Sequence, residues 1–327
     1  ADKTSWRPLV AQYQLPRPGR AVLQLATTLL PLAVLFAAMY RLLALSFWWT
    51  LVFALPAAAL LVRTFVLMHD CAHGSFFASR RANRIVGAVT GLLTLIPFEH
   101  WRREHALHHA SSGDLDRRGH GDVETLTVRE YLARTPFGRL RYRIVRHPLV
   151  YLIVGPLFFV LDKRVPPRGA GAGRAQIASV WTTNAAIAIA GGGLLALFGA
   201  RVLLVYLPAY YLAVTAGIWL FFVQHQFEGT YWEEHQRWDY ATAAIAGSSY
   251  FQLPAILQWV TGSIGFHHVH HLGPRIPNYN LQRCHDENPL FHRATVVTLR
   301  QSLTALRLAL WDEDAGRLVS FDRARQA

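Results

Sequence analysis

Nine of the sixteen histidines in this chain fall into four groups whose spacing suits metal binding. On a helix, residues three and four positions apart share one face, so each group can present its imidazoles to a common point. The groups are His69 and His73; His105, His108 and His109; His267, His270 and His271; and the single His225, which follows a long apolar run. Neutral imidazole is the commonest metal ligand among side chains. The spacing therefore predicts a metal site.

The number of these histidines indicates which kind of metal site to expect. Nine nitrogens exceed the four ligands of a tetrahedral zinc. They suit two octahedral irons that keep positions open for oxygen or water. The chain has no HExxH zinc-protease motif. The pattern therefore predicts a di-iron centre and oxidation chemistry.

The elements that must position these histidines are long apolar runs. The chain has 327 residues, of which 52% are hydrophobic and only 16% are charged. Four runs each reach the ~20 residues that a helix needs to cross the hydrocarbon core. They lie at about 21–40, 45–68, 177–198 and 202–223. None contains an internal histidine, which argues against a membrane haem site or a metal transporter.

These runs predict an all-α membrane protein with four transmembrane helices. The helices form two hairpins, at about 21–68 and 177–223. Three shorter apolar stretches, at 85–98, 148–161 and 250–264, are typical of interfacial or re-entrant segments. The remaining segments, about 69–174 and 224–327, are expected to form a helical cap that holds the histidines, all within a single domain spanning 1–327.

The net charge of +13 has two interpretations. A nucleic-acid partner is one of them. The apolar runs favour the other, in which arginines collect in the cytoplasmic parts of a membrane protein. We therefore expect no nucleic acid, an inner (cytoplasmic) membrane location, and both termini and the histidines in the cytoplasm. No cleavable signal peptide is expected. Because the cytoplasm is reducing, Cys71 and Cys284 are expected to form no disulfide.

Four segments around the histidines closely resemble the histidine boxes of membrane fatty acid desaturases. They are HDCAHGSFF, WRREHALHHASSGDLDRRGHGD, FVQHQFEGTYW and GFHHVHHLGPRIPNYNL, and together they extend over about 65–290. The nearest resemblance is to bacterial and cyanobacterial acyl-lipid desaturases of the delta-12 (omega-6) type.

The resemblance implies an oxygen-dependent enzyme that introduces a cis double bond into a lipid-linked acyl chain. It also implies two iron ions, O2 as co-substrate and electrons from an external donor. The chain contains no His-Pro-Gly-Gly motif, so no fused cytochrome domain is expected and the donor is taken to be ferredoxin-like. Carried over position by position, the family's metal ligands fall on His69, His73, His105, His108, His109, His225, His267, His270 and His271.

Other residues near the boxes are expected to support the ligands or to lie away from them. Ligating imidazoles usually donate their second N–H to a carboxylate or carbonyl, and Asp70 and Glu228 are the candidates for that role. Acyl-CoA desaturases of animals have an asparagine where this chain has Phe221, so that branch is the poorer match. His268 is expected behind the ligands or on the surface, and His100 off the ligand face. The other histidines are expected to be solvated: His120, His147, His235, His285 and His292.

Two rival functions remain compatible with these residues. A hydroxylase or carotenoid ketolase could use the same histidine scaffold, although the PRIPNYNL segment after the last box favours a desaturase. A membrane protein that binds metal without catalysis is the rival from another class.

Overall fold

The computed structural model describes residues 6–119, 121, 123–169 and 171–325. In chain order its α-helices are α1 (Trp6–Ala11), α2 (Pro18–Leu42), α3 (Phe47–His73), α4 (Arg80–Leu93), α5 (Phe98–Ser111), α6 (Val128–Ala133), α7 (Pro136–Val145), α8 (Gly155–Asp162), α9 (Arg174–Phe198), α10 (Arg201–His225), α11 (Tyr240–Ala246), α12 (Ala255–Val260), α13 (His267–Leu272), α14 (Asn278–Glu287) and α15 (Leu299–Ala305). Five short strands complete the fold: β1 (Leu126–Thr127), β2 (Tyr250–Gln252), β3 (Val296–Thr298), β4 (Leu310–Asp312) and β5 (Arg317–Val319).

The four predicted membrane helices are confirmed as α2, α3, α9 and α10. Each has 25 or 27 residues and is long and apolar enough to cross a membrane. Their surroundings differ. In the most apolar part of α3, 61% of the residues are buried, but in that of α9 only 6% are. Helix α3 therefore forms the core of the bundle, packed against α2 and α10, while α9 leaves most of its surface for lipid.

Helix α3 continues beyond its apolar run and ends directly after the first histidine pair. The chain reverses there through Gly74, whose φ of +67° lies in the left-handed region that glycine adopts without strain. The N–H of Gly74 donates to the carbonyl of Cys71, which closes the last turn. The sequence His-Gly therefore places His73 at the C-terminal end of the helix.

The shorter apolar stretches form bent or broken segments. The 85–98 stretch is divided between α4 and the start of α5. The 148–161 stretch begins with a π-helical turn at Val150–Val154 and continues into α8. Together with α7 this segment makes a pair bent by 62°. The 250–264 stretch is part strand, β2, and part helix, α12.

Two small sheets qualify the prediction of a purely helical fold. Strand β4 pairs parallel with β1 and antiparallel with β5, and β2 pairs parallel with β3. The partners lie up to 184 residues apart (Leu126 and Leu310). The sheets therefore connect the C-terminal part of the chain to the segments that follow His109 and His225. Strands of two or three residues are too short for periodicity in the sequence to indicate them.

Candidate metal centre

All nine predicted histidines come together, in two groups at the ends of four helices. The first group contains His69, His73, His105, His109 and His270, and the second contains His108, His225, His267 and His271. Within each group the candidate ligand atoms lie within 4.8 Å of one another. Helices α3, α5 and α13 supply the first group, and α5, α10 and α13 supply the second.

The helical triplets do not each face one point, and that expectation is corrected. In α5, His105 and His109 belong to the first group while His108 belongs to the second. In α13, His267 and His271 share the second group while His270 joins the first. At 3.6 residues per turn, the i+4 residue lies about 40° from residue i and the i+3 residue about 60° on the other side. The two histidines of each i, i+4 pair therefore belong to the same group, and the i+3 histidine belongs to the other group.

The separations between imidazole nitrogens fit a shared metal ion. The Nε2 atom of His225 lies 2.9 Å from that of His267 and 3.2 Å from that of His108. The Nε2 atom of His109 lies 3.0 Å from that of His270 and 3.1 Å from that of His105. With metal–nitrogen bonds of about 2.1 Å, adjacent octahedral ligands lie about 3.0 Å apart and tetrahedral ligands about 3.4 Å apart. The separations therefore fit imidazoles that share one metal ion in each group.

Buried ring nitrogens without partners lead to the same conclusion. Among the described residues, Nε2 of His73 and Nε2 of His271 are buried and make no hydrogen bond. A buried polar atom without a partner costs about 1–3 kcal/mol, and a bound metal would remove that cost. The Nδ1 of His225 instead faces the carbonyl of Gly247 at 3.1 Å. Donation to that carbonyl leaves Nε2 of His225 as the free ligand atom.

Phe221 occupies the position that departs from the animal acyl-CoA branch. Its ring centroid lies 5.2 Å from those of both His108 and His225. A phenyl ring offers no ligand atom, so it shields the second group with an apolar wall.

Of the two carboxylates predicted beside the ligands, one lies there and the other does not. Asp70 is buried, with Oδ1 3.5 Å from Nδ1 of His69. Its Oδ2 accepts the backbone N–H of Asn278 at 2.7 Å, at the start of α14. Glu228 is 64% exposed and binds Arg317 at 2.6 Å. The prediction for Glu228 is therefore wrong, because its side chain points to the surface.

Replacing Asp70 with alanine is expected to weaken metal retention. The substitution removes the carboxylate beside His69 and the acceptor at the start of α14. Losses of such outer contacts typically cost 10–100-fold in metal affinity, and loss of an N-terminal cap costs about 1 kcal/mol of stability. Iron retained during titration with a chelator measures the first effect, and thermal unfolding measures the second. Glu228→Ala is the matched control, and equal iron retention in both variants would show that Asp70 does not support the site.

The remaining histidines lie outside both groups. His268 is buried in α13, where its Nε2 lies 3.0 Å from Nδ1 of His285. This corrects the expectation that His285 is simply solvated. His100 is also buried, with Nε2 3.6 Å from Glu104, and His235 binds Asp114 at 2.8 Å. His147 and His292 are exposed, and His120 lies outside the described residues.

Burial keeps five of the clustered imidazoles neutral, which is the form that binds metal. In α5 and α13, burial followed by the neighbouring imidazoles lowers the pKa of each of five histidines well below the usual 6.5. They are His105, His109, His267, His270 and His271. At neutral pH these side chains therefore need no deprotonation before a metal binds.

The same pKa shifts predict that acid destabilises the metal-free protein. Between the low folded pKa and the unfolded value near 6.5, only the unfolded chain binds protons at these sites. The free energy of unfolding therefore falls as pH drops below about 6.5, by up to roughly 1.4 kcal/mol per pH unit for each histidine. The midpoint of thermal unfolding should be clearly lower at pH 5.5 than at pH 7.5. Equal midpoints at the two pH values would contradict a neutral, buried cluster.

An apolar cavity of about 470 Å³ reaches both histidine groups. Its wall includes His69 and His105 from the first group and His108 and His267 from the second. Most of the remaining wall is apolar, from α3, α8 and α10, and includes Trp101 at the histidine end.

A charged cluster in the cavity wall was not predicted. The ammonium of Lys163 lies 2.7 Å from Glu104 and 2.9 Å from Asp162. Burial alone would lower the pKa of Lys163, but these two carboxylates raise it overall. The lysine therefore stays charged. An Asp-Lys pair directly after an apolar stretch was the available signal for this cluster.

Comparison with known proteins assigns the chain to a family. The sequence profile described as fatty acid desaturase matches residues 46–300. A fatty acid desaturase of Bacillus subtilis (strain 168) is 41% identical over 314 residues, which cover 95% of this chain and 89% of that protein. The chain belongs to the fatty acid desaturase family. As a desaturase it is an oxidoreductase, and the four membrane helices and the histidine groups agree with that membership.

Two cyanobacterial relatives of this desaturase come from Synechocystis sp. (strain ATCC 27184 / PCC 6803 / Kazusa). An sn-1 acyl-lipid omega-3 desaturase (ferredoxin) is 29% identical over 71% of this chain and 65% of its own length. An sn-1 oleoyl-lipid 12-desaturase is 27% identical over 69% of this chain and 64% of its own length. The desaturase thus spans slightly less than two thirds of these relatives.

Proposed function

We propose that this desaturase holds two iron ions and uses O2 to introduce a cis double bond into a lipid-linked acyl chain. The observation that carries the proposal is the apolar cavity whose wall contains histidines from both groups. A chain lying in that cavity would pass both metal positions. The names of the two cyanobacterial relatives support an acyl-lipid substrate and, for one of them, a ferredoxin donor.

Each part of the chain has a defined task in this proposal. His69, His73, His105, His109 and His270 would hold one iron, and His108, His225, His267 and His271 the other. Bound iron would supply the oxygen chemistry, in which two hydrogens from adjacent methylenes, two external electrons and two protons reduce O2 to two waters. Cavity residues such as Phe65, Val214 and Ile264 bind the acyl chain by burying apolar surface.

The wall also positions the chain and excludes water. An acyl chain offers no polar group along its length, so the cavity must select the reacting carbons by shape. Phe221 packs on two histidines of the second group and keeps that side apolar. The ion pairs of Lys163 with Glu104 and Asp162 give the wall a polar region. We place the lipid head group on that side.

We further propose one domain over 1–327 and an inner-membrane location with the histidines in the cytoplasm. Each histidine group combines segments from both halves of the chain, which supports a single domain. The many arginines in the segment between the two hairpins support the orientation.

Lipid analysis of a bacterial host that expresses the chain tests the proposal. Gas chromatography and mass spectrometry of derivatised double bonds should show a new cis alkene that requires oxygen. A double variant, His270→Ala with His271→Ala, should give none. A hydroxyl or keto product without any new alkene would identify a hydroxylase or ketolase. Tight iron binding without any product from purified protein, reductant, oxygen and lipid would identify a binding protein.

A further inference from the structure

Five exposed arginines lie on α4, the helix that follows His73, and on α5, the helix that carries His105 and His109. Eight of the nine clustered histidines are buried, and His73 alone is half-buried. The nearby arginines, here called the arginine face, are Arg80, Arg81, Arg84, Arg102 and Arg103, and all five are exposed. We propose that the arginine face docks an acidic one-electron carrier protein above His73. The inference rests on the proposed function, since only an oxygen-reducing centre needs such a carrier.

Chain connectivity limits the distance between the arginine face and His73. Only the six residues Gly74–Ser79 separate His73 from Arg80, so even a fully extended chain would span at most about 25 Å. Arg102 precedes His105 by three residues in α5, a rise of about 4.5 Å along the helix. The ring of His105 lies 4.8 Å from that of His73. The face thus has two arms: Arg102 and Arg103 on α5 lie within one helical turn of His105, and Arg80, Arg81 and Arg84 on α4 begin seven residues after His73.

Glu99 joins the two arms and leaves the face strongly positive. Its carboxylate accepts from Arg84 at 2.9 Å and from Arg102 at 2.8 Å, so α4 and α5 are fastened together. Among the described residues, Arg80, Arg81 and Arg103 have no carboxylate partner. Within the arginine face, one carboxylate thus pairs with two of the five arginines, and three positive charges are left without a carboxylate partner. A surface of one sign steers an oppositely charged partner and fixes its orientation.

The stability of α4 does not explain this arrangement. Arg80 and Arg84 are like charges at i, i+4, which repel each other. Arg80 and Arg81 also lie in the first turn, where the helix dipole disfavours positive charge. The first turn of α4 contains no acidic residue. An acidic partner would offset both unfavourable contributions.

Anionic lipid head groups are the competing occupant for one arm only. Ile85 and Val89 on α4 are 53% and 52% exposed, which places that side of α4 against lipid. Helix α5 differs, because its exposed positions are Arg102, Arg103, Ala106 and Ala110. Without large apolar side chains there, the α5 arm is suited to water and to a soluble protein. The α5 arm therefore favours the carrier.

Neutralising Arg80 and Arg103, two of the three arginines without a carboxylate partner and one from each arm, tests the docking surface. The variant Arg80→Gln with Arg103→Gln breaks no ion pair with a carboxylate. The matched control is Arg293→Gln with Arg307→Gln, which changes two exposed arginines elsewhere in the chain. Iron-loaded protein in nanodiscs would receive electrons from a reduced [2Fe–2S] ferredoxin, at low and high salt. A single turnover after chemical reduction, which needs no carrier, is measured in parallel.

We expect the apparent KM for ferredoxin to rise about tenfold at low salt in the arginine-face variant, with a smaller rise at high salt because charges are screened there. The single turnover and the control variant should match wild type. Equal effects in the two variants, or none, would overturn the proposal. An effect confined to nanodiscs with anionic lipid would also overturn it, in favour of head-group binding. Absence of wild-type single turnover would instead refute the proposed function.

Cross-linking gives a second measurement if the glutamine variant folds poorly. Arg80→Lys with Arg103→Lys keeps the charge and adds amines that carbodiimide couples to the carboxylates of a docked ferredoxin. Cross-linked peptides from these lysines, and not from Arg293→Lys with Arg307→Lys, are expected. Coupling only through the control positions would overturn the proposal independently of activity.

Discussion

Replacing His270 or His271 with alanine is expected to remove one of the two irons and to abolish desaturation. The two residues are neighbours in the sequence but belong to different histidine groups. Each variant should therefore retain about one iron per chain. The loss of activity should exceed the roughly 100-fold that follows the loss of an outer contact, because a ligand itself is missing. Iron analysis and product formation measure the two effects.

His268 provides the matched control within the same helix. It is buried to the same degree, but its ring contacts His285 and not the metal groups. His268→Gln should retain both irons, with a loss limited to stability. Loss of both irons in His271→Ala alone, or retention of both in His270→Ala, would contradict two separate sites.

Gly217→Leu is expected to block the cavity without harming the fold. Gly217 lines the cavity from α10, and a Cβ atom added there meets no atom within 4 Å. A leucine side chain would therefore project into the space meant for the acyl chain. Displacing a substrate by about 1 Å can cost 100-fold in rate, so we expect at least roughly that loss. Helix propensity should meanwhile raise stability by up to about 1 kcal/mol.

Gly193→Leu separates blocking from any general effect of leucine in a membrane helix. Gly193 is exposed on α9 and also has open space around it, but it does not line the cavity. This control should gain stability and keep its activity. Product profiles for acyl chains of different length would show whether short chains escape the block. Full activity of Gly217→Leu on long chains would exclude this cavity as the acyl site.

Much of the architecture could be predicted because it depends on local patterns. Four runs of ~20 apolar residues are sufficient to define membrane helices, and the observed bounds extend them by only a few residues at most ends. The short stretches were less predictable. Residues 250–252 form a strand only because β3 lies beside them, 46 residues further on, and such pairing leaves no trace in periodicity.

The carboxylates show the same limit at the site. Asp70 follows His69 directly and Glu228 follows His225 by three residues, so sequence spacing could not distinguish them. In the structure Asp70 bonds to Asn278, 208 residues away, whereas Glu228 bonds to Arg317 at the surface. Their difference lies entirely in distant partners. The arrangement of Lys163 with Glu104, 59 residues apart, was hidden for the same reason.

The sequence by itself determined that nine histidines, on helices leading out of a membrane, could supply a metal centre. Only the tertiary structure decided how they divide into five and four. A helix turns about 100° per residue, so i, i+4 histidines point together and the i+3 histidine points about 100° away from its i+4 neighbour. Whether these histidines form one group or two depends on where the other helices lie. The packing of α3, α5, α10 and α13 around one cavity gives two groups.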